Sequence, residues 1–127
     1  MESIKSAQIK IKSYQDLQVW QRSHKLALEL YGLSKLKRKD FTDWEIWRQA
    51  ISSGFSGPAN IVEGFHSHRG KSFASHLEIS RGSIGETDYW ILVLSEISQI
   101  PKEKADLLKK ECQEIIAMLT SLISKIR

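Results

Sequence analysis

The chain has 127 residues, which is enough for one domain with a single core. Hydrophobic residues make up 41% and charged residues 27%, an ordinary globular composition, and no apolar run approaches the roughly 20 residues that span a bilayer. The single cysteine excludes an internal disulfide, and the N-terminus lacks the apolar core of a signal peptide, so we expect a cytoplasmic protein without a membrane segment. The net charge of +4 suits a partner that carries negative charge.

The first element along the chain is a basic tail, residues 1–12, and residues 13–127 form the predicted helical domain. Helix one is predicted to begin at Ser13, because Ser13 followed by Asp16 is typical of a capped helix start with an acidic first turn. It is expected to run to about Leu36.

Three further helices follow. Helix two is predicted to begin at a capping box of Thr42 and Glu45 and to run to about residue 66. Helix three covers about 71–99, and Pro101 suits the first turn of helix four. Because short loops between long helices make neighbours antiparallel, the sequence predicts an all-α, up-down-up-down four-helix bundle.

Helix one carries more apolar surface than a monomeric bundle buries. One stripe consists of Leu17, Trp20, Ala27, Leu28 and Tyr31. A second stripe, on the nearly opposite side, consists of Val19, Leu26, Leu30 and Leu33. Together they cover well over half of the circumference, where a surface helix needs little more than about 100°. We expect the second stripe to meet another subunit.

The segment YWILVL, residues 89–94, is apolar all round if it is helical. A buried strand is the alternative that periodicity leaves open, but strong helical patterns on both sides favour a helix. Such a helix must be covered on every side, so we expect Tyr89, Trp90 and Val93 to join the subunit interface.

Three short motifs occur in a recognisable order. Their residues are Tyr14, Leu17, Val19 and Trp20 in helix one; Pro58, Asn60, Ile61, Glu63 and Gly64 in helix two; and Gly82, Ser83 and Glu86 in helix three. Together they resemble the four-helix-bundle family named for ribosomal RNA intervening sequences. The resemblance extends from about Ser13 to the C-terminus.

The resemblance implies a small helical bundle that assembles as a ring, usually a homopentamer. Relatives include accessory proteins of diversity-generating retroelements, which bind a reverse transcriptase and nucleic acid. Many relatives carry adjacent arginines just before the Pro-x-Asn motif, where this chain has Ile51 and Ser52. An anion-binding role that rests on those arginines is therefore not expected here.

Pro58 removes one backbone hydrogen bond and is expected to kink or interrupt helix two. The face away from the predicted core carries Ser53, Ser56, Asn60, Glu63 and Ser67. This face is either solvated or, as the family motif favours, supports the kinked helix and its neighbour. In the second case Asn60 is expected to bond the carbonyl groups that Pro58 leaves unpaired.

The catalytic candidates are few. Glu63 and His66 match half of a di-iron bundle site, but no second Glu-x-x-His occurs, so we expect no metal and no other cofactor. Arg69 and His76 resemble the Arg and His motif of the HEPN ribonucleases, which act on the RNA 2′-hydroxyl and phosphate. That ribonuclease is the alternative to a non-enzymatic protein.

Two basic clusters flank the helices. Lys35, Lys37, Arg38 and Lys39 fall in the first loop, and His66, His68, Arg69 and Lys71 in the second. Up-down topology places the N-terminal tail at the end of the second loop, so we expect Lys10, Lys12, Arg69 and Lys71 to gather there. No aromatic platform of the kind that single-strand binders use is expected beside these charges, so binding of RNA or DNA is expected to be directed at the backbone, without sequence specificity.

Overall fold

The computed structural model describes residues 11–67 and 71–127, and within these ranges it contains four long helices and no strand. The helices are α1 (Gln18–Leu33), α2 (Phe41–Ser67), α3 (Lys71–Glu96) and α4 (Lys102–Ile126). Both α1 and α3 pack against α2 and α4, so α1 and α3 occupy opposite corners of the molecule. The predicted all-α four-helix bundle is confirmed. In the part of the chain that is described, no helix is long and apolar enough to cross a membrane.

The core is a cluster of aliphatic side chains from all four helices, with Trp47 as its largest fully buried member. The predicted seam of α4 is buried at Leu108, Cys112, Ile115 and Leu119. Burial raises the pKa of Cys112 to about 12, so its thiol stays protonated at neutral pH. Cys112 is therefore a core residue, in an environment that does not favour the reactive thiolate.

The start of helix one differs from the prediction. Ser13 and Asp16 do form a capping box, in which the Ser13 hydroxyl accepts from the Gln15 amide and the Asp16 carboxylate accepts from the Ser13 amide. The box opens only a 3-10 turn, Tyr14–Asp16, and α1 begins after Leu17.

The capping box at the start of α2 is formed by a different pair of residues from the predicted one. The Asp43 amide donates to the Asp40 carboxylate at 2.7 Å, and the Asp40 amide donates to the Asp43 carboxylate at 3.3 Å. The capping box is therefore Asp40 with Asp43, and the prediction of Thr42 with Glu45 is wrong. Asp40 serves equally well because its carboxylate accepts from the third amide of the helix, as a serine or threonine hydroxyl does.

The two stripes of α1 are not divided between core and interface as expected, since Ala27 of the first stripe and most of the second stripe are buried. Val19, Leu26 and Leu30, expected at an interface, are at most 5% exposed within the single chain, and Leu33 packs partly against the same core. Their assignment to an oligomer interface is wrong, since a buried side chain offers no surface to a partner. From the other stripe, Leu28 and Tyr31 are each 48% exposed.

The segment 89–94 is helical, as predicted, and lies within α3. Ile91 and Leu94 are fully buried, whereas Tyr89 is 54% exposed and Leu92 is 39% exposed. One chain therefore covers only part of this all-round apolar segment.

Candidate functional site

The motif residues of α2 and α3 meet at the contact between these two helices. The Ser56 and Ser83 hydroxyls lie 2.9 Å apart in a hydrogen bond across the contact. Asn60 donates from its side-chain amide to the Ser56 carbonyl at 2.8 Å and to the Ser56 hydroxyl at 3.1 Å. Ser56 thus links Asn60 to Ser83, and the polar face of α2 packs against a neighbour.

Pro58 lies inside α2 and is buried, and the helix continues through it without interruption. The carbonyl that a proline leaves without its helical donor is four residues earlier, at Gly54. Asn60 bonds Ser56 instead, so the expectation that Asn60 compensates for Pro58 is wrong. Asn60 connects the two helices by way of Ser56.

Glu63 and Gly64 meet His76, which projects from α3. The Glu63 carboxylate lies 3.3 Å from His76 Nε2, and the Ser72 carbonyl lies 3.0 Å from His76 Nδ1. Gly64 allows this approach, because a Cβ atom there would lie 2.7 Å from the Cβ of His76. The pKa of His76 is raised, mainly because the ring bonds to the Ser72 carbonyl and in part because the Glu63 carboxylate favours the charged ring.

These contacts bear on the ribonuclease alternative. His76 Nδ1 is bonded to the Ser72 carbonyl, and Nε2 lies beside the exposed Glu63 carboxylate, so Nε2 would have to leave that carboxylate to act on a substrate hydroxyl. Arg69, its proposed partner, lies outside the described residues. Among the described residues, no group of three His, Cys, Asp or Glu side chains is placed to hold a metal ion.

The sequence did not predict a set of buried hydroxyl groups that form hydrogen bonds between α2 and α3. Ser80 donates to the Gly57 carbonyl at 2.8 Å, and the Ser53 and Thr87 hydroxyls share a bond of 2.8 Å. A Cβ at Gly57 would lie 2.5 Å from the end of Ile84, so the helices approach closely here. The spacing of small residues in both helices was the available signal, but a single helix does not show which residues of its neighbour it faces.

The outer face of α3 presents a continuous surface that we call the α3 stripe. Its residues, three or four positions apart, are Ile79, Gly82, Glu86, Tyr89 and Leu92. Ile79 and Tyr89 are each 54% exposed, and a Cβ at Gly82 would meet nothing within 4 Å. Beside the stripe, Trp90 and Val93 are half-buried, and the Trp90 indole donates to Glu86 at 2.9 Å.

The end of the bundle that holds the 3-10 turn carries exposed Lys12 and Lys71. Lys10 and Arg69, predicted to join them, lie outside the described residues. The ring of Tyr14 lies edge-on to the ring of His66, with centroids 5.8 Å apart, so the turn packs on the last turn of α2. Aromatic rings therefore lie at the same end of the bundle as these charges, although the sequence does not predict an aromatic platform there.

The basic loop at the opposite end is largely engaged in structure. Lys37 donates to the Ser98 carbonyl, and Lys39 donates to the Ser34 carbonyl. The Lys39 ammonium also lies 5.1 Å from the centroid of the Trp47 ring, and burial lowers the pKa of Lys39. Lys39 closes the loop between α1 and α2, and Lys37 ties that loop to the connection between α3 and α4.

Comparison with known proteins supplies a family. A family model described as 23S rRNA-intervening sequence protein matches residues 15–121. No curated protein matches at a significant level. Among solved structures, a protein of unknown function from the S23 ribosomal protein family of Bacteroides thetaiotaomicron is 27% identical, with a TM-score of 0.73. The match covers 83% of this chain and 97% of that one.

Proposed function

The chain belongs to the 23S rRNA-intervening sequence protein family, and on that premise we propose that it is a non-enzymatic, homo-oligomeric scaffold. The assembly is a ring, most simply a homopentamer, located in the cytoplasm. Its basic end binds the backbone of RNA or DNA without sequence specificity, or a nucleic-acid enzyme. A partner of the latter kind follows from the motif resemblance to accessory proteins of diversity-generating retroelements, which stays a prediction.

The observation that carries the proposal is the α3 stripe. Ile79, Tyr89 and Leu92 leave apolar surface on one helix that the described part of the chain does not cover. Isolated exposed apolar residues are common on monomers, but a row at helical spacing is typical of a surface that another protein covers. The open backbone at Gly82, in the middle of the row, would let a partner helix approach closely.

The occupant of the stripe is a second copy of the chain. A complementary patch, formed by Leu28 and Tyr31, lies on α1 at the opposite corner of the bundle. When two different patches on opposite sides of a protomer meet, the contact is head-to-tail and closes into a ring if the rotation permits. This arrangement favours a cyclic oligomer over a two-fold dimer.

The nucleic-acid role rests on charge at the end that holds Lys12 and Lys71. A ring assembly presents every copy of this end on the same face, so contacts to phosphates accumulate across protomers. Each contact adds about −0.9 to the slope of log affinity against log salt for duplex DNA and about −0.7 for single strands.

The test is a salt titration of binding to RNA, single-stranded DNA and duplex DNA. Lys12→Gln with Lys71→Gln is expected to weaken binding of all three and to flatten the salt slope. Lys35→Gln with Arg38→Gln, which removes two exposed charges from the opposite end, is the matched control and should leave both unchanged. If binding is weakened only by the control pair, Lys35→Gln with Arg38→Gln, the binding surface lies at the opposite end of the bundle from the one proposed. If no nucleic acid binds even at low salt, the protein does not have the proposed nucleic-acid role.

The ribonuclease alternative is tested on structured RNA. The scaffold proposal predicts binding without cleavage. Cleavage by the wild type that disappears in His76→Ala, together with retained binding, would instead establish the enzyme.

A further inference from the structure

Four aromatic side chains meet where the 3-10 turn packs on α1 and α2. They are Tyr14, Trp20, His24 and His66, and we call them the aromatic cluster. Tyr14 lies edge-on to Trp20, with centroids 5.0 Å apart, and the ring of His24 stacks on Trp20 at 4.6 Å. The fold thus gathers rings that are far apart along the chain, since His66 belongs to the last turn of α2.

The cluster is not sealed in the core. His66 is exposed, and Tyr14, Trp20 and His24 each keep part of their surface accessible. An aromatic group that served only to fill the interior would be fully covered, as Trp47 is at 0% exposure. These rings lie at the surface of the bundle, within reach of a ligand.

Positive charge lies beside the cluster. Lys12 precedes Tyr14 by two positions, and Lys71 follows His66 by five, at the start of α3. The Asp16 carboxylate in the turn accepts hydrogen bonds from the Lys12 and Ser13 amides, which lower its pKa, and the Glu63 carboxylate of α2 lies against His76.

We propose that the aromatic cluster is a stacking surface for unpaired bases, so that this end of the bundle binds single-stranded nucleic acid in preference to duplex. The inference deepens the proposed nucleic-acid role and rests on it. Bases stack on Tyr14 and His66, while Lys12 and Lys71 contact the phosphates. Aromatic groups next to a basic groove are how proteins hold single strands without reading their sequence, because every base has a stacking face.

A duplex cannot use this surface, because its bases are already stacked and only its phosphates are available. Charge alone does not give that preference, since it favours the denser phosphates of a duplex. The balance between single strand and duplex therefore separates stacking from simple electrostatic binding.

The probe is a labelled oligouridylate of about twelve nucleotides, which has little structure of its own, measured beside its deoxythymidylate counterpart and a duplex RNA. Fluorescence anisotropy at one salt concentration gives the three affinities. Tyr14→Leu keeps the apolar volume that anchors the turn but removes stacking. It is expected to weaken binding of both single strands by about 5- to 150-fold and to leave duplex binding nearly unchanged.

Phe41→Leu is the matched control, because Phe41 is an exposed aromatic residue at the start of α2, at the other end of the bundle and outside the surfaces proposed to meet between copies. It should change none of the affinities. His66→Ala, on an exposed side chain, provides a second variant if Tyr14→Leu does not fold.

Three outcomes distinguish the possibilities. Single-strand preference that is lost in Tyr14→Leu or His66→Ala supports the inference. Equal affinity for duplex and single strands, unchanged in both variants but reduced in Lys12→Gln with Lys71→Gln, overturns it and leaves the proposed electrostatic binding intact. Absence of binding to every probe overturns both.

Discussion

His76 is the residue of α3 that the α2 motif residues Glu63 and Gly64 contact. Its Nδ1 donates to the Ser72 carbonyl, and Nε2 faces the Glu63 carboxylate. A neutral imidazole carries one N–H and satisfies one of these acceptors, whereas the imidazolium carries two and satisfies both. The fold therefore favours the protonated form, in keeping with the raised pKa of His76.

This preference makes the stability of the bundle depend on pH. Because the pKa of His76 is higher in the folded chain than the ordinary value of 6.5, the stabilisation is complete below that value and is lost as pH rises through the folded pKa. We expect the free energy of unfolding lost in His76→Gln, relative to wild type, to be larger at acidic than at mildly alkaline pH. Urea unfolding at both extremes measures it.

Glu63→Gln is the companion variant, since it keeps the shape of the side chain and removes only the negative charge. It should reproduce part of the pH-dependent loss, because the Ser72 carbonyl remains as the other acceptor. If the free energy of unfolding depends on pH in the same way for wild type and His76→Gln, these contacts do not favour the protonated form of His76, which would contradict the prediction.

The sequence indicated that Asn60, Glu63 and Gly64 act together, but it did not identify His76 and Ser83 as their partners. The partners depend on how far α2 and α3 slide past each other. That register is fixed by close contacts such as Gly57 against Ile84 and Gly64 against His76. Periodicity within one helix carries no information about a neighbour's register.

At the scale of helices, α3 has two faces with different tasks. Its inner face buries Leu77, Ile84 and Ile91, whereas the α3 stripe on its outer face stays uncovered. Gly82 lies on the outer face and weakens the helix, because glycine is less favourable than other residues in a helix interior by about 1 kcal/mol. Within the described residues, a Cβ at Gly82 would meet nothing within 4 Å, so the proposed subunit contact would supply a reason for this glycine.

Gly82→Gln is therefore expected to reduce the mass of the assembly without unfolding the chain. The new side chain has space within the protomer but occupies the position that the partner helix needs. Light scattering gives the mass, and circular dichroism the helix content. Ala59→Gln, at an exposed position of α2, adds the same side chain away from the stripe and should change neither. If the mass of the assembly is unchanged in Gly82→Gln, the α3 stripe is not part of the interface between copies.

The four helices were predictable because each combines strong 3.6-residue periodicity with a clear start or stop signal. The two stripes of α1 were not, because both are apolar and periodicity alone does not say which one faces inward. The packing of the neighbouring helices determines which side is buried. Leu26 and Leu30 pack in the core with α2, and Leu28 and Tyr31 remain exposed.

At the scale of the whole molecule, the bundle presents two apolar surfaces at opposite corners and a basic, aromatic end. The α3 stripe and the patch of Leu28 and Tyr31 are the exposed surfaces that we propose to meet between copies. Lys12, Lys71 and the aromatic cluster lie at one end, so a ring assembly would repeat them around its axis. The sequence predicted the basic end from topology, but it missed the aromatic cluster because Tyr14 and His66 meet only in the folded chain.

The proposed scaffold role depends on assembly, which the mass of the wild-type protein in solution tests most directly. Size-exclusion chromatography with light scattering at micromolar concentration is expected to give one species with the mass of a homopentamer of the 14.6 kDa chain. Another closed ring would keep the head-to-tail contact and change only the number of copies. A mass of 14.6 kDa across the concentration range would contradict the account, because the α3 stripe would then face water in a monomer.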